Sequence, residues 1–386
     1  MINNNKMRIA FDVTQTGDGK AGCGYLAYSL IRALSEVDTQ NEYLLMSSFG
    51  PDYFGKNISP SAIGIHNPRF TQGLHHLDYG TAKRFWNNSH TDLDAELGNP
   101  DIVHANNFYC PQGLKNARLL YTLYDLSFID HPEWTTEANR WICFKGMFTA
   151  SLYADGIVAI SEFSRQHFLR TFPHYPANKT HLIYPASRYT KHDPLKKPSK
   201  IPARVRPDQF WLCVGTLEPR KNQLGLLEAY ANHKAKMGNA LPLVHAGGSG
   251  WMMENFNHQI ISLGLQDDVI LLGYVDETTL QWLYKNCFAL IYPSLFEGFG
   301  LPVLEAMSLG TAVITSNTTS IPEIIGQAGI LVNPLVNSQI SDAMDQLMGN
   351  ENQRQALKRA ALKRSELFSW EKSAQETLDL YSILLN

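Results

Sequence analysis

The sequence predicts an α/β protein built from two doubly wound, Rossmann-like domains that face each other across a cleft. Three observations carry this. Compact apolar runs alternate with helical periods along nearly the whole chain, and such alternation implies parallel β-α-β units with right-handed crossovers. The alternation breaks once, in the Pro- and Lys-rich stretch KHDPLKKPSKIPARVRPD (191–208), and then restarts. The length, 386 residues, exceeds what one ordinary core holds.

In the first half, RIAFDV (8–13), EYLLMSS (42–48), DIVHAN (101–106), RLLYTLYDLSF (118–128) and DGIVAIS (155–161) read as buried parallel strands. YLAYSLIRALSEV (25–37) and EFSRQHFLRTF (162–172) carry the helical period between them. The expected first domain is 1–188. A linker follows at 189–207, and its basic charge reads as a solvated hinge, with membrane contact as the other reading. FWLCVGT (210–216), PLVHAGG (242–248), VILLGYV (269–275), FALIYPSL (288–295), TAVITS (311–316) and GILVN (329–333) then build a second domain, 208–365. The segment 366–386 holds the amphipathic SWEKSAQETLDLYSILL, placed to cross back to the first domain. Open α/β sheets bind ligands beyond the carboxyl ends of their strands. Functional residues are therefore expected just after these runs.

Composition narrows the function classes. With 44% hydrophobic and 18% charged residues the chain reads as soluble and globular. A formal charge of −3 and the lack of an arginine-rich strip argue against nucleic acid as partner. Cys23, Cys110, Cys143, Cys213 and Cys287 are scattered, with no C-x-x-C. That predicts no disulfide framework, no zinc site and a reducing, cytoplasmic compartment. MINNNKMRIAFDV has no long apolar signal core, and no run reaches membrane-spanning length. Peripheral contact with the inner face of the membrane stays open. No histidine spacing suits a metal and no G-x-S-x-G is present, so neither a metal nor any other cofactor is expected.

Two motifs are decoys. Gly17-Asp18-Gly19-Lys20-Ala21-Gly22 matches G-x-G-x-x-G. A nicotinamide site, however, needs an acid at the end of the second strand, and EYLLMSS ends in serines. Gly22 and Gly24 read instead as letting the start of the first helix approach an anion; a flexible surface loop is the alternative. Asp92-Leu93-Asp94 is a D-x-D, a pattern that can hold a divalent metal. In TDLDAEL it reads rather as an acidic helix start capped by Thr91.

The turn after FWLCVGT places Arg220 and Lys221 ahead of a helix, with Asn222 as N-cap. Cations there have the wrong sign for the helix dipole, as expected if a diphosphate sits beside them. A solvated turn partly neutralised by Glu218 is the other reading. Further on, EGFGLPVLE puts Glu297 in a loop and Glu305 about one turn into a helix that Pro302 opens and Gly310 ends. Between them Gly298, Phe299, Gly300 and Leu301 offer backbone amides at a helix start, a second anion site. A glycosidase couple needs its carboxyls about 5 Å apart across one bond, and the intervening helix start argues against that. Carboxylates repel phosphate, so each should meet hydroxyls. A sugar nucleotide satisfies all these groups. A capping acid plus a surface acid is the plainer alternative.

With these residues in view the chain resembles the retaining glycosyltransferase family 4, of the GT-B fold. The resemblance spans GCGYLAYSLIRAL, DIVHANNFYCPQ, VAISEFSR, LCVGTLEPRKN, PSLFEGFGLPVLEAMSLGTAVITS and PEIIGQAG. It implies a nucleotide-sugar donor, with GDP-mannose common among chains carrying VGTLEPRKN, and a glycan or lipid-linked saccharide acceptor. Arg220 and Lys221 would hold the diphosphate beside Gly215; Glu297 would contact the donor sugar and Glu305 the ribose. The amides of Gly298, Phe299, Gly300 and Leu301 would bind sugar and phosphate, and Gly22 and Gly24 would border the diphosphate. The implied reaction runs on one face of the sugar without a metal, with Arg220, Lys221 and Glu297 as the catalytic group. One departure stands out. Many members have His-Asp where this chain has Tyr124-Asp125, so the sugar side is left to Tyr124, or to His104 or His131. His104 reads equally well as a packed residue. An epimerase, a phosphorylase and a silent sugar-nucleotide binder are the competing readings.

Overall fold

The computed structural model describes residues 6–17, 20, 22–51, 58–76, 78–196, 198, 201–238 and 240–386. Asp18, Gly19 and Ala21 of the G-x-G-x-x-G match, and Lys197, Ser199 and Lys200 of the Lys-rich stretch, lie outside the described residues. The chain forms two units. The first comprises Met1–Asp130, Glu137–Ala186 and Phe368–Asn386; the second His131–Thr136 and Ser187–Leu367.

The first unit holds a parallel sheet of β1 (Arg8–Asp12), β2 (Glu42–Met46), β3 (Phe70–Gln72), β4 (Ile102–Ala105), β5 (Arg118–Leu123), β6 (Gly156–Ala159) and β7 (Thr180–Leu182). Its order is β3-β2-β1-β4-β5-β6-β7. The second holds β8 (Trp211–Val214), β9 (Leu243–Ala246), β10 (Val269–Leu271), β11 (Ala289–Tyr292), β12 (Val313–Ser316) and β13 (Ile330–Val332), ordered β10-β9-β8-β11-β12-β13. Both are doubly wound, and the strand order reverses between β1 and β4 and between β8 and β11. The central strands are buried on both faces, which is why they read as unbroken apolar runs. The edge strands β3 and β7, three residues each, carry too little apolar run to stand out.

Local chemistry departs from expectation in places. Asp92, not Thr91, caps the helix Leu93–Glu96, accepting from the Ala95 amide. Asp94 is buried and accepts from the amides of Lys115, Asn116 and Ala117. Its carboxylate is spent on a loop, which accounts for the D-x-D without a metal. The hinge stretch is not wholly solvated, since Tyr189 and Val205 join the core of the second unit.

The last helix, Trp370–Leu385, packs into the first unit with Ala374, Leu380 and Tyr381 in the same apolar cluster as β1 and the helix Gly22–Val37. A buried polar chain completes the attachment. Thr122 Oγ1 donates to Asn106 Oδ1 (2.7 Å), so it accepts from His104 Nε2–H (3.0 Å). His104 Nδ1 then accepts from the Tyr381 hydroxyl (2.7 Å). Both ring nitrogens are used, and burial pushes the imidazole from 6.5 down to about 3. His104, weighed above as a residue on the ligand side, is thus a neutral interior hydrogen-bonding group.

This fixes a sign. The unfolded chain takes up a proton on His104 below 6.5 while the folded one does not until about 3, so acidification removes stability. Asp12, buried nearby and raised to about 7, acts in the opposite direction but is common to wild type and variant. Between about pH 7 and pH 5 the stability advantage of wild type over His104→Gln should shrink by about 2 kcal/mol, measured by urea unfolding at each pH.

Candidate functional site

The switch point of the second sheet brings two loops together. Beyond β8, Gly215 takes φ +134° and donates its amide to Ala246 O at 3.0 Å. Pro219–Lys221 forms a short 3-10 turn, and the helix Gln223–Met237 follows. Beyond the adjacent β11, residues 293–300 lead into the helix Leu301–Ser308. The Leu295 amide donates to Arg220 O at 2.7 Å, joining the two loops.

Glu297 lies at their meeting point and is 6% exposed. Its Oε1 accepts from Lys221 Nζ at 2.6 Å and from the Tyr292 hydroxyl at 2.8 Å; its Oε2 accepts from Arg220 Nη1 at 3.1 Å. Arg220 also reaches Glu218 Oε1 through Nη2 at 2.9 Å. Burial by itself would raise the Glu297 carboxyl, but Lys221 and Arg220 outweigh it and bring it to about 2. Glu297 is therefore ionised throughout the neutral range. The turn is not a solvated one: two cations meet two carboxylates, and the charge mismatch at the helix start is answered from within the protein. A carboxylate offers about four acceptor sites. Lys221, Tyr292 and Arg220 fill three of those on Glu297.

Glu305, 3% exposed, has different partners. Arg188 Nε reaches its Oε1 at 2.7 Å and Nη2 its Oε2 at 3.4 Å, and the Tyr284 hydroxyl donates to Oε2 at 3.0 Å. Burial opposes the Arg188 charge, yet Glu305 holds the guanidinium above its ordinary range. The two glutamates share no partner, so they do not form an acid–base couple. Arg188, expected as the last residue of the first domain, belongs to the second unit.

Between the glutamates, Gly298 and Phe299 are buried and Gly300 takes φ +102°. That φ strains any L side chain, and a Cβ there would also have to displace the end of the Ile321 side chain, 2.5 Å away. The amides of Gly300 and Leu301 donate to no acceptor among the described residues, as first-turn amides do, and they suit an anion. Asn222 is not the side-chain cap expected. It adopts a left-handed conformation, φ 56°, and its side-chain Nδ2 donates to Pro334 O at 2.7 Å.

Gly215, Arg220, Lys221, Glu297, Gly298, Phe299, Gly300, Leu301 and Glu305 thus share one unit. Gly22, Gly24, His104 and Tyr124 lie in the other. A Cβ on Gly24 would fall 2.1 Å from Gln15 O, which explains that glycine by loop packing. The Tyr124 hydroxyl donates to Asn106 O at 2.6 Å. His131 belongs to the second unit, its ring stacked 3.7 Å from Trp134 and edge-on to Phe296, next to Glu297. Sequence reasoning missed Arg188, Tyr284 and Tyr292. The tyrosines read as apolar strand and helix residues, and nothing local marks Arg188, 117 residues from its partner. Among the described residues no group of three His, Cys, Asp or Glu could hold a metal.

Comparisons with known proteins give the family and the fold. The family model "Glycosyl transferases group 1" matches residues 197–364 and "Glycosyltransferase Family 4" matches 21–186. The chain is 33% identical over 290 residues to the O-antigen chain mannosyltransferase B of Escherichia coli, covering 73% of this chain and 74% of that one. It is 36% identical over 181 residues to the Escherichia coli serotype-specific mannosyltransferase WbdA, covering 46% of this chain and 22% of that longer protein. Among solved structures, HepE of Anabaena in complex with UDP-glucose superposes with a TM-score of 0.71 at 18% identity, covering 97% and 98%.

Removing Arg188 strands a buried carboxylate. Arg188→Ala should lower the unfolding free energy by about 3 kcal/mol, and Arg188→Ala with Glu305→Leu by clearly less. Denaturant titration of the two variants checks this.

Proposed function

The chain belongs to the group 1, family 4 glycosyltransferases, and from that premise we propose that it moves a mannosyl group from GDP-mannose to a growing surface polysaccharide or lipid-linked saccharide, with retention of configuration. The observation that carries the reading is the cluster of Arg220, Lys221 and ionised Glu297 beside the free amides of Gly300 and Leu301. It suits a leaving diphosphate. Negative charge develops there as the glycosidic bond breaks, and fixed cations and amides stabilise it at little reorganisation cost. The departing phosphate can take the acceptor's proton on the same face of the sugar. Glu297, held ionised, serves in this scheme to fix the two cations and to accept a sugar hydroxyl at its remaining site. Glu305, oriented by Arg188 and Tyr284, accepts from the ribose. The mannosyl assignment is supported by the names of the relatives, O-antigen chain mannosyltransferase B and WbdA.

Tyr124 favours a second reading, a donor-binding protein without turnover. It stands where many family members have histidine, and its hydroxyl is committed to Asn106. Donor binding without transfer in wild type, with turnover gained by Tyr124→His, would select that reading.

Thermal-shift measurements with GDP-, UDP- and ADP-sugars test the donor, since the true donor stabilises the fold by mass action. GDP-mannose should give the largest shift, and transfer should follow with it. Lys221→Ala and Glu297→Gln should each lower transfer on the order of 100-fold, read by radiolabelled mannose incorporation. Undiminished transfer in both would remove the site assignment.

A further inference from the structure

The helix Glu137–Tyr153 is apolar on two opposite faces. One face carries Cys143, Met147 and Ala150 into the core of the first unit. Gly146 allows the approach: a Cβ there would fall 1.8 Å from Phe108 O. The other face carries Trp141 (63% exposed), Phe144 (38%), Phe148 (43%) and Leu152 (51%). At about 100° per residue these four fall within an arc of about 80°, centred opposite Ala150. Their rings form a column, Trp141 to Phe144 at 6.5 Å and Phe144 to Phe148 at 5.8 Å and nearly parallel. Tyr153, 55% exposed, stands at the end of the helix. Contiguous exposed apolar surface of this kind marks an interaction site.

The chemistry around the stripe selects its partner. Exposed Arg140 and Lys145 flank it on opposite sides, and neither pairs with a carboxylate among the described residues. The only acid on the helix is Glu137, in its first turn. Trp141 at one end of the stripe, Phe144, Phe148 and Leu152 along it, and cations at its edges match a helix lying in the plane of an anionic lipid surface. A glycan, even one stacked on the rings, needs acceptors for its hydroxyl protons, and Trp141, Phe144, Phe148 and Leu152 offer none. A second copy packed by two-fold symmetry would bring two Lys145 ammoniums close together. No helix among the described residues is long and apolar enough to cross a membrane, so contact of this type is peripheral.

The geometry points to the outer face of the helix Glu137–Tyr153 as a docking surface for a membrane bearing anionic headgroups. The inference deepens the reading of a lipid-linked acceptor given above, because docking would hold the enzyme at the surface where such an acceptor resides.

Flotation of the purified chain with vesicles tests it, using phosphatidylcholine alone or mixed with phosphatidylglycerol. Wild type should float with the mixed vesicles. Trp141→Ser with Phe148→Ser should lose binding at least about tenfold, as expected when two large apolar side chains no longer insert. Arg140→Gln with Lys145→Gln, which spares the packing, should lose about fivefold per cation on the mixed vesicles and little on phosphatidylcholine. Both variants should keep the wild-type thermal midpoint, its shift with nucleotide sugar, and transfer to a short soluble saccharide. Four results would overturn the inference: no flotation of wild type; equal flotation of the apolar variant; a dimer in light scattering that the apolar variant dissolves; or binding of a soluble mannan that the same variant abolishes. If transfer fails with every donor while flotation follows the stripe, the functional proposal falls and the docking surface stands.

Discussion

A buried carboxylate must be neutralised or answered, and in this protein the answer organises the site. Glu297 is almost fully withdrawn from water, a transfer that costs several kcal/mol for an ion left alone. Lys221 and Arg220 offset that cost only if the loops after β8 and β11 meet in one register. The meeting depends on β8 and β11 being neighbours at the point where strand order reverses. It depends also on a glycine at 300, where the backbone takes a positive φ that L side chains rarely adopt. With those conditions met, Arg220 and Lys221 are both held against Glu297 within one unit.

The same logic recurs at Glu305 with a different partner. Arg188 was expected to end the first domain, yet it belongs to the second unit and its guanidinium, largely withdrawn from water, pairs with a helix more than a hundred residues away. The expected linker likewise joins the second unit's interior, through Tyr189 and Val205. In the first unit a neutral chain of hydrogen bonds does comparable work. Tyr381, His104, Thr122 and Asn106 each spend a polar group on the next, and the last helix is held to the sheet by direction-specific contacts as well as by apolar burial.

Much of this was legible beforehand. Eleven apolar runs marked the buried strands because a parallel strand covered on both faces cannot hide its composition. The placement of Arg220, Lys221 and the two glutamates after strand ends followed from the rule for open sheets. The edge strands β3 and β7 were not legible, since FTQ and THL are largely polar, whereas the equally short β10 and β13, VIL and ILV, are wholly apolar. The cap at Asp92 was missed because Thr and Asp are both good caps and only backbone geometry chooses between them. The outward stripe on the helix Glu137–Tyr153 was hidden because a helix apolar on two faces has no clear periodic signal.

By itself the sequence determined the two doubly wound sheets, the order of their elements, and which charged residues stand at strand ends. These follow from local pattern: apolar runs, helical period, glycine and proline at turns. The tertiary structure decided what those charges do. It paired Glu297 with Lys221 and Arg220 and Glu305 with Arg188 and Tyr284, and it turned His104 inward. Pairing between residues far apart along the chain is a matter of distance and burial, and neither is written in local pattern. A carboxylate that reads as an acid, a base or a cap becomes a fixed ion only when folding chooses its neighbours.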